Sequence, residues 1–288
     1  MTNSHPDLAA AVSLSQGNVQ TARVQDHAHM NKLIRQAKRD PGFKIWIHAI
    51  PMQNLAFGSF ADASWGIRAD GSSQGGQLHF ACDRTLFDGE TARMSLMDWE
   101  SWALKRVCRS SLSAESQAAA DTVDTLNFIR LFAADFMMWK GIDLRKCDEV
   151  LNIIPSSILV TDCKSLYDAL ARSESQGLGL AEKRTAIEVA ATRQQMEATG
   201  ITCRWVNSDR QLADSLTKPM NANAMQQLCS TGFWKIIFDE NFTAAKKLKK
   251  AARSEFFKQR EKEGKGKGSV KAKAKSSNPN ELAVKGRV

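Results

Sequence analysis

Ser157-Ile158-Leu159-Val160-Thr161-Asp162 is a short, apolar, partly β-branched run that ends abruptly in an acid. A run without polar alternation suits a strand covered on both faces, because a strand with one wet face alternates apolar and polar residues. Downstream come a helical pattern at 164–172, a Gly-containing loop at 173–180, a longer helical pattern at 181–199, a strand at Ile201 to Val206 and a helical stretch at about 209–217. Helical crossovers between successive strands require parallel pairing.

Upstream of this run the pattern changes. Three strand-like stretches, Leu55 to Ala63, Gln77 to Asp83 and roughly Arg93 to Glu100, are separated by short Gly- and Asp-containing turns, which predicts an antiparallel meander. Leu78, Phe80 and Cys82 alternate with Gln77, His79 and Ala81, so one buried face is expected, with His79 exposed on the other. Between the meander and the central run lies the clearest helix. Ser110-Ser111-Leu112-Ser113 supplies an N-cap, and Ala119, Val123, Leu126, Ile129, Ala133 and Phe136 step by three or four residues up to a stop at Gly141. Phe132, Met137 and Trp139 read as core packing. The expected fold class is therefore α/β: a mixed five-stranded sheet, an antiparallel meander joined to parallel strands, with flanking helices in a domain over residues 53–220.

The remainder reads differently. Residues 1–25 are polar without a sustained period, which predicts a disordered N-terminus. Val24 to Lys38 has helical spacing and is stopped by Asp40-Pro41-Gly42; Phe43 to Ile50 reads as a short apolar strand. His27 and His29 have no other candidate ligands near them and read as surface residues. Residues 221–288 read as an appendix with a small helix and a basic, flexible tail, low in complexity from Gly264 to Ser277.

The chain has 288 residues, 43% hydrophobic and 25% charged, with a formal charge of +9. The charge is concentrated: residues 246–288 carry 15 Lys and Arg against 4 Glu, so the rest is slightly acidic. Such a tail suits a polyanion or simply a solvated end, and Lys246, Lys247, Lys249 and Lys250 are its candidate nucleic-acid contacts. No apolar stretch approaches the length of a membrane span. Cys82, Cys108, Cys147, Cys163, Cys203 and Cys229 are scattered without C-x-x-C spacing, which points away from zinc and a disulfide framework and toward a reducing, cytoplasmic or nuclear location.

Four acids fall at element ends: Asp62 near the end of the first strand, Glu115 in the first turn of the long helix, Asp162 at the end of the central strand and Asp214 in the last short helix. If the first and fourth strands are neighbours, Asp62 and Asp162 lie side by side at the carboxyl ends where open α/β sheets bind ligands. Glu115, one turn before Ala119, can point at the same edge. Carboxylates gathered there would need divalent cations to stay ionised, and oxygen-only ligands select hard ions, Mg²⁺ or Mn²⁺. A pair of such ions suits phosphodiester hydrolysis without a protein nucleophile. Solvated surface acids and helix caps are the alternative from spacing alone.

The words around these acids are more specific. Phe60-Ala61-Asp62-Ala63-Ser64-Trp65, Ser110-Ser111-Leu112-Ser113-Ala114-Glu115, Val160-Thr161-Asp162-Cys163-Lys164-Ser165 and Gln211-Leu212-Ala213-Asp214-Ser215-Leu216-Thr217-Lys218-Pro219, in this order, resemble the ribonuclease H domain of copia-type long-terminal-repeat retrotransposon polyproteins. Asp98-Trp99-Glu100-Ser101 also fits the family's third strand, and Asn31-Lys32-Leu33-Ile34-Arg35, within 26–52, resembles the end of the reverse transcriptase that precedes the domain. The resemblance covers about Leu55 to Met220. It implies a ribonuclease H-like sheet and two Mg²⁺ or Mn²⁺ ions held by Asp62, Glu115, Asp162 and Asp214. It further implies hydrolysis of the RNA strand of RNA–DNA hybrids, with a reverse transcriptase as partner, in trans or in a parent polyprotein.

Ser64, Ser110 and Ser111 border the implied site as candidate substrate contacts, though capping and strand-end turns explain them equally well. Three departures stand out. Ser113 replaces a second Glu found in many members, Arg184-Thr185-Ala186-Ile187 lacks the Lys-His pair that follows Arg-Thr, and no histidine lies shortly upstream of Asp214. No Asp-Asp polymerase word occurs, so the chain reads as a piece of a polyprotein or a genomic remnant. An inert or co-opted nucleic-acid-binding remnant of the same fold is the alternative; an integrase-like or exonuclease-like relative is a third.

Overall fold

The computed structural model describes residues 4–17, 19–39, 43–138, 141–172, 179–219 and 222–237. These lie in one unit, Met1–Phe238; the other unit, Asp239–Val288, is outside the described residues, and with it the 246–250 lysines and the 264–277 stretch.

In chain order the regular elements are α1 (Ala9–Gln16), α2 (Val24–Arg39), β1 (Leu55–Ser64), β2 (Gln74–Asp83), β3 (Ala92–Ala103), α3 (Ser111–Met137), α4 (Cys147–Ile153), β4 (Ser157–Thr161), α5 (Lys164–Ala171), α6 (Lys183–Ala198), β5 (Ile201–Trp205), α7 (Asp214–Thr217), α8 (Asn223–Thr231) and β6 (Phe233–Trp234). One mixed sheet has the order β5-β4-β1-β2-β3-β6. The β1–β2–β3 meander and its β6 neighbour are antiparallel, while β1–β4 and β4–β5 are parallel. This is the mixed sheet expected above, an antiparallel meander joined to parallel strands with flanking helices, and it has a two-residue sixth strand beyond the five predicted.

Both faces of the sheet are covered. On one, Phe57, Ala61 and Leu159 pack against Ala119, Val123, Leu126 and Ile129 of α3. On the other, Phe60, Leu78, Phe80, Met94, Ile158 and Val160 meet Leu212, Leu216, Met225, Leu228 and Trp234. Arg130 of α3 is wholly buried and donates to the carbonyls of Thr199 at 2.8 Å and Leu151 at 2.9 Å, tying α3 to α4 and to the turn before β5. Burial without a carboxylate pulls this guanidinium down to about 10.

Several expectations are corrected. Residues 1–25 are not disordered throughout: Leu8, Ala9, Ala10 and Ala11 are buried, and Ala9 belongs to the main core. Alanines carry little hydropathy and no stripe, yet their small side chains let α1 pack closely. The 43–50 segment forms no strand; it is tied down by the Trp46 indole donating to the Cys229 carbonyl at 3.0 Å and the His48 amide donating to Ser95 Oγ at 2.8 Å. His79 is buried, 2.6 Å from Ser59 Oγ, because α3 covers the face that alternation leaves to solvent. Residues 222–237 are no appendix: α8 and β6 complete the second core, so position 220 is not a structural boundary. Phe132 and Phe136 are exposed, with Phe128 one turn earlier, on the outer side of α3. Met137 packs at the core margin as predicted, and Trp139 lies outside the described residues.

Candidate metal centre

The register of the two central parallel strands sets the site. Phe60 pairs with Val160, so Asp62 and Asp162, each two residues further along, stand level at the carboxyl ends of β1 and β4. Ser110 caps α3, its Oγ accepting from the Ser113 amide at 3.1 Å, and so fixes where the first turns lie. Glu115 on the sheet-facing side then meets the two strand ends, near a helix N-terminus that favours negative charge.

Each of Asp62, Glu115 and Asp162 offers a carboxylate oxygen within 4.8 Å of the others. Asp62 is 1% and Glu115 9% exposed, and Glu115 Oε2 has no hydrogen-bond partner among the described residues. Burial, opposed by Lys218 but reinforced by Asp214 and Asp162, raises the Asp62 carboxyl to about 7. Burial and then the Asp62 and Asp162 charges drive Glu115 well above the ordinary carboxylate range. Isolated in a protein interior, such groups resist sharing one negative site. Asp162 is better solvated: Ser208 donates to its Oδ2 at 2.6 Å, and the Trp205 indole holds its carbonyl at 3.0 Å.

Asp214 joins the site by another route. It opens α7 at the edge of β2, where Gly76, the cross-strand partner of Asp62, leaves room for the helix: a Cβ on Gly76 would lie 2.8 Å from both Leu216 Cβ and Thr217 Cγ2. Gln211, just before α7, donates to the Ala61 carbonyl at 2.8 Å, and Thr217 donates its hydroxyl to Asp62 Oδ2. Lys218 Nζ lies 2.5 Å from Asp214 Oδ1 and 3.4 Å from Asp62 Oδ2. Burial lowers the Lys218 pKa, but Asp62 and Asp214 outweigh it and hold the ammonium charged above its usual range.

All four acids predicted from the sequence thus reach one sheet edge, three mutually close and Asp214 linked through Lys218. Ser110 serves as a cap and also lies 3.5 Å from Glu182 Oε2; Ser64 ends β1 half-buried and Ser111 is exposed. Sequence reading missed the Lys218 role, although its i, i+4 spacing from Asp214 was visible in the quoted word. It missed Thr217 and Ser208 as well.

An all-oxygen donor set with an orphaned buried carboxylate oxygen fits a hard divalent cation such as Mg²⁺ or Mn²⁺ better than zinc. Cys163, the sulfur nearest in sequence, is pushed up to about 12 by burial and by the Glu115 charge, and so stays a thiol.

No family model matches this chain, and no curated protein matches it. Among solved structures it is similar to a foamy viral protease-reverse transcriptase in complex with RNA/DNA hybrid, at 12% identity over 62% of this chain and 21% of that one, with a TM-score of 0.36. It is similar to LC11-RNase H1 in complex with RNA/DNA hybrid, at 13% identity over 59% and 99% of the two chains, TM-score 0.37. A third is the prototype foamy virus (PFV) RNase H domain in solution, at 14% identity over 57% and 92%, TM-score 0.29. The chain spans about a fifth of the foamy viral protein.

Proposed function

We propose that this chain is a two-metal endonuclease that hydrolyses the RNA strand of RNA–DNA hybrids, of copia-type retrotransposon origin. The reading rests on the convergence of Asp62, Glu115 and Asp162 at the ends of parallel strands, together with a buried Glu115 oxygen that has no hydrogen-bond partner among the described residues. Asp62, Glu115, Asp162 and Asp214 would hold the ions. When bound, hard divalent cations supply charge neutralisation at the scissile phosphate and activation of water.

The chain's own residues prepare that site. Ser208 and the Trp205 indole fix Asp162, and Thr217 fixes Asp62, so their carboxylates are oriented before any ligand arrives. Such an enzyme recognises a hybrid by shape and 2′-hydroxyls and needs no base-specific reader. Ser64 and Ser111 are the candidate sugar-phosphate contacts, and the 246–250 lysines a salt-dependent anchor. A reverse transcriptase, in trans or in a parent polyprotein, is the proposed protein partner. Among the described residues no helix is long and apolar enough to cross a membrane, and no disulfide links the cysteines. An intracellular, reducing location fits these thiols.

The test is cleavage of a labelled RNA–DNA hybrid with Mg²⁺ or Mn²⁺, with RNA and DNA duplexes as controls. The expected result is cutting of the RNA strand of the hybrid alone, abolished in Asp162→Asn. Intact hybrid at every metal concentration would favour the second reading, an inert nucleic-acid-binding remnant. The observation on that side is Lys218, whose ammonium stands between two of the four acids.

A further inference from the structure

We infer that Lys218 is a tethered counter-cation occupying the position between Asp62 and Asp214, so that the acidic edge is two unequal cation sites: one open, the other filled by the chain itself. This deepens the metal-site part of the proposed function and rests on it. The open site is the Asp62, Glu115 and Asp162 cluster, where a buried oxygen lacks a partner. The filled one is the Asp62 and Asp214 corner, where Nζ lies 3.4 and 2.5 Å from the two carboxylates. A hard cation held by those two carboxylates would have to take the space that the ammonium now fills.

Charge and mobility both support the competition. Once metal holds all four carboxylates ionised, they and one ammonium carry three negative charges; one divalent ion leaves one, and a second overshoots neutrality unless Lys218 withdraws. Lys218 is built to withdraw. Its backbone is held, with its amide donating to the Asp214 carbonyl at 2.8 Å and Pro219 following. Its side chain is 40% exposed on a flexible four-carbon stem, whereas the neighbouring Thr217 is fully buried. The lysine can therefore swing to solvent without disturbing α7.

Two measurements on the full chain test this without substrate. Calorimetric titration of metal-free protein with Mn²⁺ at neutral pH should give one tight ion per wild-type chain with a second binding only at higher Mn²⁺, and in Lys218→Met a second tight ion or overall binding at least about tenfold tighter. On the wild type alone, acetylation of Lys218 followed by mass spectrometry, with Lys105 as the reference, should rise several-fold when Mn²⁺ reaches saturation of a second site. Equal stoichiometry and affinity in the two proteins, or Lys218 labelling indifferent to Mn²⁺, would overturn the inference while leaving the metal site standing. Absence of Mn²⁺ binding to either protein would instead remove the metal-site reading, and the inference with it.

Discussion

The two corners of the acidic edge are built from different material. Asp62, Glu115 and Asp162 sit on two central strands and a long capped helix, elements anchored in the packed layers on the sheet, and only Asp62 of the three lies within 4 Å of the Lys218 ammonium among the described residues. Asp214 rides on a four-residue helix held against β2 by the absence of a side chain at Gly76, and it carries its own ammonium four residues on. The difference separates position from compensation. Regular elements place like charges together at a cost, and the flexible lysine that offsets part of it comes from the short-helix corner.

The largest expected effect follows from the residue the corners share. Asp62→Asn should reduce hybrid cleavage by more than about a thousandfold, since several kcal/mol of charge stabilisation leave with it. It should also weaken Mn²⁺ binding at both corners. A variant that cleaves within tenfold of the wild type would break the claim that the corners share a ligand.

Gly76→Val probes the weaker support. The added side chain would collide with Leu216 and Thr217, destabilising the fold by about 1–3 kcal/mol and lifting α7 from β2. Denaturant unfolding measures the first effect. Cleavage should fall while Mn²⁺ binding at the Asp62, Glu115 and Asp162 cluster survives; unchanged stability would show that the close approach at Gly76 does not hold α7.

A smaller, pH-dependent effect distinguishes bare from compensated charge. The Asp62 carboxyl titrates near 7 in the folded chain and near 3.8 when unfolded, so between these values the folded state holds the extra proton. Its contribution to metal-free stability is full below about 4 and is lost as pH rises toward 7. Glu115 is shifted in the same direction. Thermal melting in chelator should therefore show stability declining across this window, the decline shallower in Asp62→Asn and offset by Mg²⁺. A wild-type profile matching that of Asp62→Asn would contradict it.

The smallest is Ser110→Ala, which removes the α3 cap and should cost about 1 kcal/mol by chemical denaturation. Ser111→Ala, at an exposed position outside the cap bond, should leave stability unchanged.

Legibility followed the same division. The long helix announced itself by its stripe and cap, and the central strands by apolar runs of the right length. Because those elements run from core to edge, the acids at their ends could be located from the sequence. What failed to show was whatever depends on a neighbour distant in sequence. His79 is buried because α3 covers it, although strand alternation alone leaves it in solvent. Ala9 and Ala10 fill core space with side chains too small to raise a hydropathy signal. Residues 222–237 look like an addition after Pro219, yet Met225, Leu228 and Trp234 close the second face. Phe132 has the composition of a core residue but points outward, since the helix stripe that meets the sheet lies elsewhere. Lys218 stood inside a recognisable word, yet its role depends on Asp62, 156 residues away.

Iron-directed backbone cleavage tests most directly whether these acids share a cation. Fe²⁺ substituted for Mg²⁺, with ascorbate and peroxide, cuts the chain within a few ångströms of the bound ion. The fragments should end near Asp62, Glu115, Asp162 and Asp214 together and vanish with excess Mg²⁺. Cuts that leave out Asp62, Glu115 or Asp162, or that persist in Mg²⁺, would contradict a common metal centre.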